Sequence, residues 1–146
     1  MVSLLVLPFP RQLLLLLALL VSSCSLLAPY DEVSDRAVYE LASNTEAALA
    51  KADAGQLSTA ESQQFLLERI GQVRALKTRA SLKAQNSEEE NVLGQLEERY
   101  QALASRGKPL RSSLATGLRA TLLDLQQIQV AKKRSASSTG GSKPQG

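Results

Sequence analysis

Four successive segments of this chain repeat their apolar residues at intervals of three, four and seven. This spacing places the apolar side chains of a segment on one face of an α-helix. The four sets are Val33, Ala37, Leu41, Ala48 and Ala52; Leu66, Ile70, Val73, Leu76 and Ala80; Leu93, Leu96, Tyr100 and Leu103; and Leu110, Leu114, Leu118, Thr121, Leu125 and Ile128. The pattern predicts four amphipathic helices, each of which must bury its apolar face against the others.

Residues that favour helix starts precede three of these segments. Asp31 is a typical N-cap residue before the first segment. The sequence Ser58-Thr59-Ala60-Glu61 is a capping box, in which the serine and glutamate side chains each bind a backbone N–H group that the helix leaves unpaired. A second capping box, Ser87 to Glu90, follows Asn86 and predicts that a new helix begins there.

Glycine and proline residues mark the remaining boundaries. Gly55 and Gly107 suit the left-handed conformation that ends many helices, and Pro109 suits a first helical turn. Together these signals predict helices over about 31–54, 58–85, 88–106 and 109–133.

The predicted fold class is all-α, because no run of residues alternates between apolar and polar at the period of a strand. Residues 31–134 are expected to form a small up-down bundle of four helices with short loops. An alternative is a three-helix bundle in which residues 58–106 form one bent helix. The Ser/Gly-rich tail, residues 135–146, is predicted to be disordered.

Three glycines, Gly71, Gly94 and Gly117, lie near the middle of their predicted helices. Glycine lowers helix stability by about 1 kcal/mol relative to alanine. One hypothesis is that the three form a narrow level of the bundle where helix backbones approach each other.

The composition argues against an enzyme, a metal site and a cofactor. The chain has no His, no Trp and one Cys, so most nucleophilic and metal chemistry has no residue to perform it. The acidic run Glu88 to Glu90 is expected to lie on a solvated helix start rather than in a cleft. The chain has 17 Lys and Arg against 14 Asp and Glu. This small excess of positive charge does not indicate nucleic-acid binding.

The amino terminus has the order of a signal peptide: Arg11, an apolar run from Leu13 to Val21, and then small residues before Cys24. Pro8 and Pro10 interrupt the apolar stretch, which disfavours a spanning helix. An uncleaved anchor and ordinary secretion remain as alternatives.

The segment Val21-Ser22-Ser23-Cys24 resembles the lipobox of bacterial lipoproteins. The resemblance implies cleavage of residues 1–23, lipidation of Cys24, and a tether over residues 24–30 that holds the protein to a membrane of the cell envelope. Ser25 follows the cysteine where many Gram-negative lipoproteins of the inner membrane have Asp, so the resemblance implies the outer membrane, facing the periplasm. The rest of the chain resembles small all-helical lipoproteins without assigned function.

Charges alternate in blocks along the chain: 31–68 is acidic, 69–83 basic, 84–98 acidic and 99–146 basic. The basic stripe of the second helix is expected to pair with the acidic first and third helices rather than with a ligand. The stripe consists of Arg69, Arg74, Lys77, Arg79 and Lys83.

The predicted function is a structural or protein-interaction module with an envelope protein as its partner, and a carrier of an amphiphile between the helices is the alternative. The predicted partner surface lies on the last helix, whose apolar stripe is wider than one core needs. Its residues are Leu122, Leu123, Lys132, Lys133 and Arg134. Tyr39 and Tyr100 are expected at the edge of the core.

Overall fold

The computed structural model describes residues 28–139, and these form a four-helix bundle. The helices are α1, Glu32–Asp53; α2, Thr59–Ser81; α3, Ser87–Ala104; and α4, Thr116–Thr139, preceded by a short 3-10 helix, Ser112–Leu114. Because residues 82–86 separate α2 from α3, the four-helix prediction is confirmed and the single bent helix is wrong. The described residues contain no strand.

Each helix packs against its neighbours in the chain, and α4 also packs against α1, so the four helices form a closed ring. Contacts between helix ends show that neighbours run antiparallel. Arg79 near the end of α2 binds Asp31 at the start of α1, and Lys132 in α4 binds Glu89 at the start of α3. One end of the bundle therefore holds the start of α1, the α2–α3 turn and the last part of α4. We call it the tether end, because the predicted tether leads into it.

The predicted apolar faces of α2 and α3 are confirmed, since all nine of their residues are buried. The predicted face of α1 is partly wrong, because Val33 is exposed and Val38 and Leu49 are buried in addition to Leu41 and Ala48. Val33 lies five residues before Val38, which corresponds to a rotation of about 140° around the helix axis. The first turn of α1 thus presents Val33 to solvent.

Helix ends follow the predicted signals at four places. Asp31 caps α1 by accepting from the Val33 N–H group, and Ser58 and Glu61 form the complete capping box of α2. Gly55 and Gly107 have φ angles of 69° and 58°, as helix-ending glycines do.

The prediction of a second capping box, Ser87 to Glu90, is wrong. The α3 helix begins at Ser87, so Asn86 holds the N-cap position, and its side chain makes no capping hydrogen bond. Instead, the Asn86 amide donates to the Ala80 carbonyl oxygen at the end of α2. This bond stabilises the α2–α3 turn, so Asn86 serves the connection between the two helices rather than the start of α3.

Both predicted limits of the last helix are wrong. Residues 108–111 are not helical, and Leu110 is buried in the connection, where its backbone N–H group donates to Ser62.

At its other end, α4 continues to Thr139, five residues into the predicted tail. Ser135 and Ser137 each donate a side-chain hydrogen bond to the carbonyl four residues earlier, which is compatible with helix. Residues 140–146 lie outside the described residues.

The three glycines predicted to lie mid-helix do not bring helix backbones together, and Gly117 is the second residue of α4 rather than a central one. A Cβ atom at Gly71 would meet nothing within 4 Å, and one at Gly94 would meet only the Lys77 ammonium group. A Cβ atom at Gly117 would collide with the Arg99 guanidinium group, which is the end of a flexible side chain. The hypothesis of a narrow level is therefore wrong.

Replacement of Gly71 with alanine should stabilise the bundle by about 0.5–1 kcal/mol. The backbone of alanine loses less conformational entropy on folding than that of glycine, and the added methyl group meets open space here. Urea unfolding followed by circular dichroism measures the change. Gly55→Ala is the matched control and should destabilise, since Gly55 has a positive φ angle. An unchanged or lowered midpoint for Gly71→Ala would contradict the expectation.

Candidate interaction surface

The predicted partner surface on α4 is divided by the structure. Leu122 and Lys132 are buried, so their assignment to the surface is wrong, whereas Leu123, Lys133 and Arg134 are exposed as predicted. The reason is helical spacing. Leu122 lies four residues after the buried Leu118 and Lys132 lies four after the buried Ile128, so both fall on the inner face of α4. Cys24 and Ser25 lie outside the described residues.

Lys132 belongs to a buried polar cluster between α3 and α4. Its ammonium group lies 2.5 Å from Glu89 Oε2 and also donates to the side chain of Asn86. Gln129 donates to the other Glu89 oxygen over 2.6 Å. All four residues are buried, so the expectation that Glu88 to Glu90 are solvated is wrong for Glu89. The cluster joins the start of α3 to the last part of α4.

A second charged cluster surrounds the Asp31 carboxylate at the tether end. Arg79 donates two hydrogen bonds to it, at 2.6 and 3.1 Å, and Lys83 and Ser34 donate one each. These bonds, those from Arg79 above all, hold the pKa of Asp31 well below its usual range. The cluster fixes the end of α2 against the start of α1.

The rest of the basic stripe also binds within the molecule. Arg74 and Lys77 both bind Glu97 of α3, at 2.6 and 3.3 Å, and they lower the pKa of that carboxyl. The Arg69 guanidinium lies over the Phe65 ring, 5.1 Å from its centroid. Four of the five cations pair with α1 or α3 groups, which confirms the expected intramolecular pairing.

The two tyrosines expected at the core edge have different environments. Tyr100 is fully buried, and its hydroxyl lies 2.6 Å from Thr45 Oγ1. Since Thr45 donates its own proton to the Leu41 carbonyl, the Tyr100 hydroxyl is the donor to Thr45. Tyr39 is 67% exposed, so its predicted place at the edge of the core is wrong.

Tyr39 and Leu123 line one groove between α1 and α4, which we call the α1–α4 groove. Leu123 is 54% exposed, and the groove has a volume of about 370 Å³. Its other lining residues are Ala42, Ser43, Glu46, Arg119, Leu122 and Gln126. The groove thus presents a large aromatic and a large aliphatic side chain to solvent in one place.

An ion pair joins the two walls of this groove. Arg119 of α4 donates two hydrogen bonds of 2.8 Å to the Glu46 carboxylate of α1. Because both oxygens of Glu46 are bound, the pair is bidentate and fixes the spacing of the two helices. Tyr39, Glu46 and Arg119 were not predicted as surface-site residues from the sequence. The available signal was that Tyr39, Ser43 and Glu46 lie at intervals of four and three, on one outer stripe of α1.

Where α2 meets the connection between α3 and α4, the pocket lined by Leu66, Leu103 and Leu110 has no room for a water molecule. Within residues 28–139, no group of His, Cys, Asp and Glu residues is arranged to hold a metal ion. None of the described helices is long and apolar enough to cross a bilayer.

Comparison of the chain with protein-family models, curated proteins and solved structures gives no match.

Proposed function

We propose that the protein is a lipid-anchored protein-interaction module of the bacterial cell envelope. The observation that carries the proposal is the exposure of Tyr39 and Leu123 together in the α1–α4 groove. Aromatic and aliphatic side chains that stay exposed together are typical of protein contact sites. A carrier of an amphiphile would instead need an apolar cavity between the helices.

In this proposal the α1–α4 groove is the partner surface, and it replaces the surface predicted from α4 alone. Leu123 is common to both. Val130 lies seven residues after Leu123 and is also exposed, so the apolar stripe of α4 continues beyond the groove. Lys133, whose ammonium lies 5.8 Å from the Tyr30 ring centroid, stands near the tether end of this face.

The anchor is the diacylglycerol thioether of Cys24, and Ser25 directs the protein to the outer membrane, where the bundle faces the periplasm. The lipobox sequence Val21 to Cys24 supports this part of the proposal. Two or more acyl chains hold a protein stably on a bilayer, because each buried methylene contributes about 0.8 kcal/mol. The function requires no catalysis and no cofactor.

The proposal is tested in bacterial cells that make the full chain with Cys24 or with Cys24→Ala, grown with radioactive palmitate. The Cys24 protein should carry the label and fractionate with outer-membrane markers, and the variant should do neither. Equal labelling of both proteins would exclude the anchor. Fractionation of the labelled protein with inner-membrane markers would exclude the sorting role of Ser25.

The same cells, treated with a cross-linker, test the α1–α4 groove. Leu123→Glu should abolish cross-links to envelope proteins, because a charge in the centre of an apolar contact is strongly unfavourable. Leu67→Glu is the matched control, since Leu67 is 63% exposed but lies on α2 outside the groove. If both variants keep the wild-type cross-links and the wild-type circular dichroism, the groove is not the partner surface.

A further inference from the structure

The most exposed large apolar side chain of the described residues lies at the tether end. Leu82, in the α2–α3 turn, is 82% exposed, and Val33 in the first turn of α1 is also exposed. The next residue after each of them, Lys83 and Ser34, is bound into the Asp31 cluster. Leu82 and Val33 therefore flank the Asp31 cluster, and both are exposed at the same end of the bundle.

The chain between the proposed anchor and the bundle is short. Ala28 is only 3% exposed, so the chain already packs against the folded body at that residue. Three residues, Ser25 to Leu27, separate it from Cys24. Four residue steps span at most about 14 Å in any conformation. A lipidated Cys24 would therefore keep the tether end within about 14 Å of the headgroup layer.

The charges of the tether end balance. Residues 30–36, 79–90 and 132–138 contain six cations and six anions: Arg36, Arg79, Lys83, Lys132, Lys133 and Arg134, against Asp31, Glu32, Asp35, Glu88, Glu89 and Glu90. Asp31 and Glu89 are bound by cations within the fold. A surface without net charge is neither attracted nor repelled by anionic headgroups, so a membrane contact here depends on the apolar side chains.

We infer that the tether end is a second, apolar membrane contact, in which Leu82 and Val33 enter the boundary between headgroups and acyl chains. This inference rests on the proposed lipid anchor. The contact fixes the orientation of the bundle, because the tether alone would allow it to rotate. The helix axes then point away from the membrane, and the α1–α4 groove opens on the side of the bundle.

The absence of tryptophan from the chain provides a direct test, because Leu82→Trp introduces a single fluorescent reporter. The full, acylated protein is reconstituted into phosphatidylcholine vesicles whose acyl chains are brominated near the headgroup. We expect the emission to shift to shorter wavelength and to be quenched. Leu67→Trp is the matched control, about 22 Å further along α2 at 1.5 Å per residue, and should remain unquenched.

Several outcomes would overturn the inference. If the Leu82→Trp protein is acylated, as mass spectrometry would show, and folded, but its emission is not quenched, the apolar contact is excluded and the anchor stands. Equal quenching of both reporters would mean that the bundle lies on its side. Quenching found only in vesicles with added phosphatidylglycerol would mean an electrostatic contact. An unmodified Cys24 in the full chain would overturn both the anchor and this inference.

Discussion

Replacement of Lys132 with methionine should destabilise the bundle by about 3–5 kcal/mol, which is the usual cost of removing one partner from a buried ion pair. Glu89 would keep its hydrogen bond from Gln129 but would lose its only ion-pair partner in the described structure. Its carboxylate would then remain buried without a compensating charge. Urea unfolding at neutral pH measures the loss.

Two further variants make this prediction specific. Lys133→Met is the matched control, since Lys133 is exposed, and it should change stability by less than about 0.5 kcal/mol. The double variant Glu89→Gln, Lys132→Met should recover a large part of the loss, because no buried charge remains. Equal small effects of the Lys132 and Lys133 variants would show that the buried pair contributes little to the fold.

The sequence predicted the helices well because helix formation and helix ends depend on local residues. The seam Leu93, Leu96, Tyr100, Leu103 is buried as its spacing required, and the Ser58 capping box forms as its two residues predicted. Local signals gave a wrong prediction where a side chain binds a group outside its own helix start. Asn86, for example, binds Ala80 and Lys132 instead of capping the helix that it precedes.

The buried charges could not be predicted from local sequence. Glu89 stands between two other glutamates, and Lys132 stands beside Lys133 and Arg134, so nothing nearby distinguishes them. The rotation of α3 and α4 about their axes determines which glutamate and which basic residue point inward. It brings together two residues that lie 43 positions apart in the chain. The same rotation decides that Leu122 is buried and Leu123 exposed.

The candidate site was predictable only in part for the same reason. Leu123 was identified because it widens the apolar stripe of one helix, which can be read from that helix alone. The other half of the α1–α4 groove comes from α1, and Tyr39 joins it only because α4 closes the ring against α1. Each helix shows its own exposed stripe in the sequence, but neither segment indicates that the two stripes lie side by side.

Tyr100 should make the stability of the bundle fall steeply at alkaline pH. Burial raises the pKa of Tyr100 to about 12, from 10 for an accessible tyrosine. Below pH 10 the hydroxyl is protonated in the folded and the unfolded chain, so the full stability is present. Between pH 10 and 12 it is mainly the unfolded chain that loses the proton, which favours unfolding by up to about 1.4 kcal/mol per pH unit and by about 2.3 kcal/mol in total at pH 12.

Tyr100→Phe isolates this contribution. At pH 8 the variant should lose about 1 kcal/mol, since it lacks one buried hydrogen bond while Thr45 still donates to the Leu41 carbonyl. The two proteins share every other ionisable group, so the contributions of those groups cancel in the comparison. Urea unfolding at pH 8, 10 and 11 should therefore show the two proteins converging and then reversing in stability as the pH rises. Parallel curves would mean that the Tyr100 hydroxyl ionises within the folded bundle as readily as in the unfolded chain.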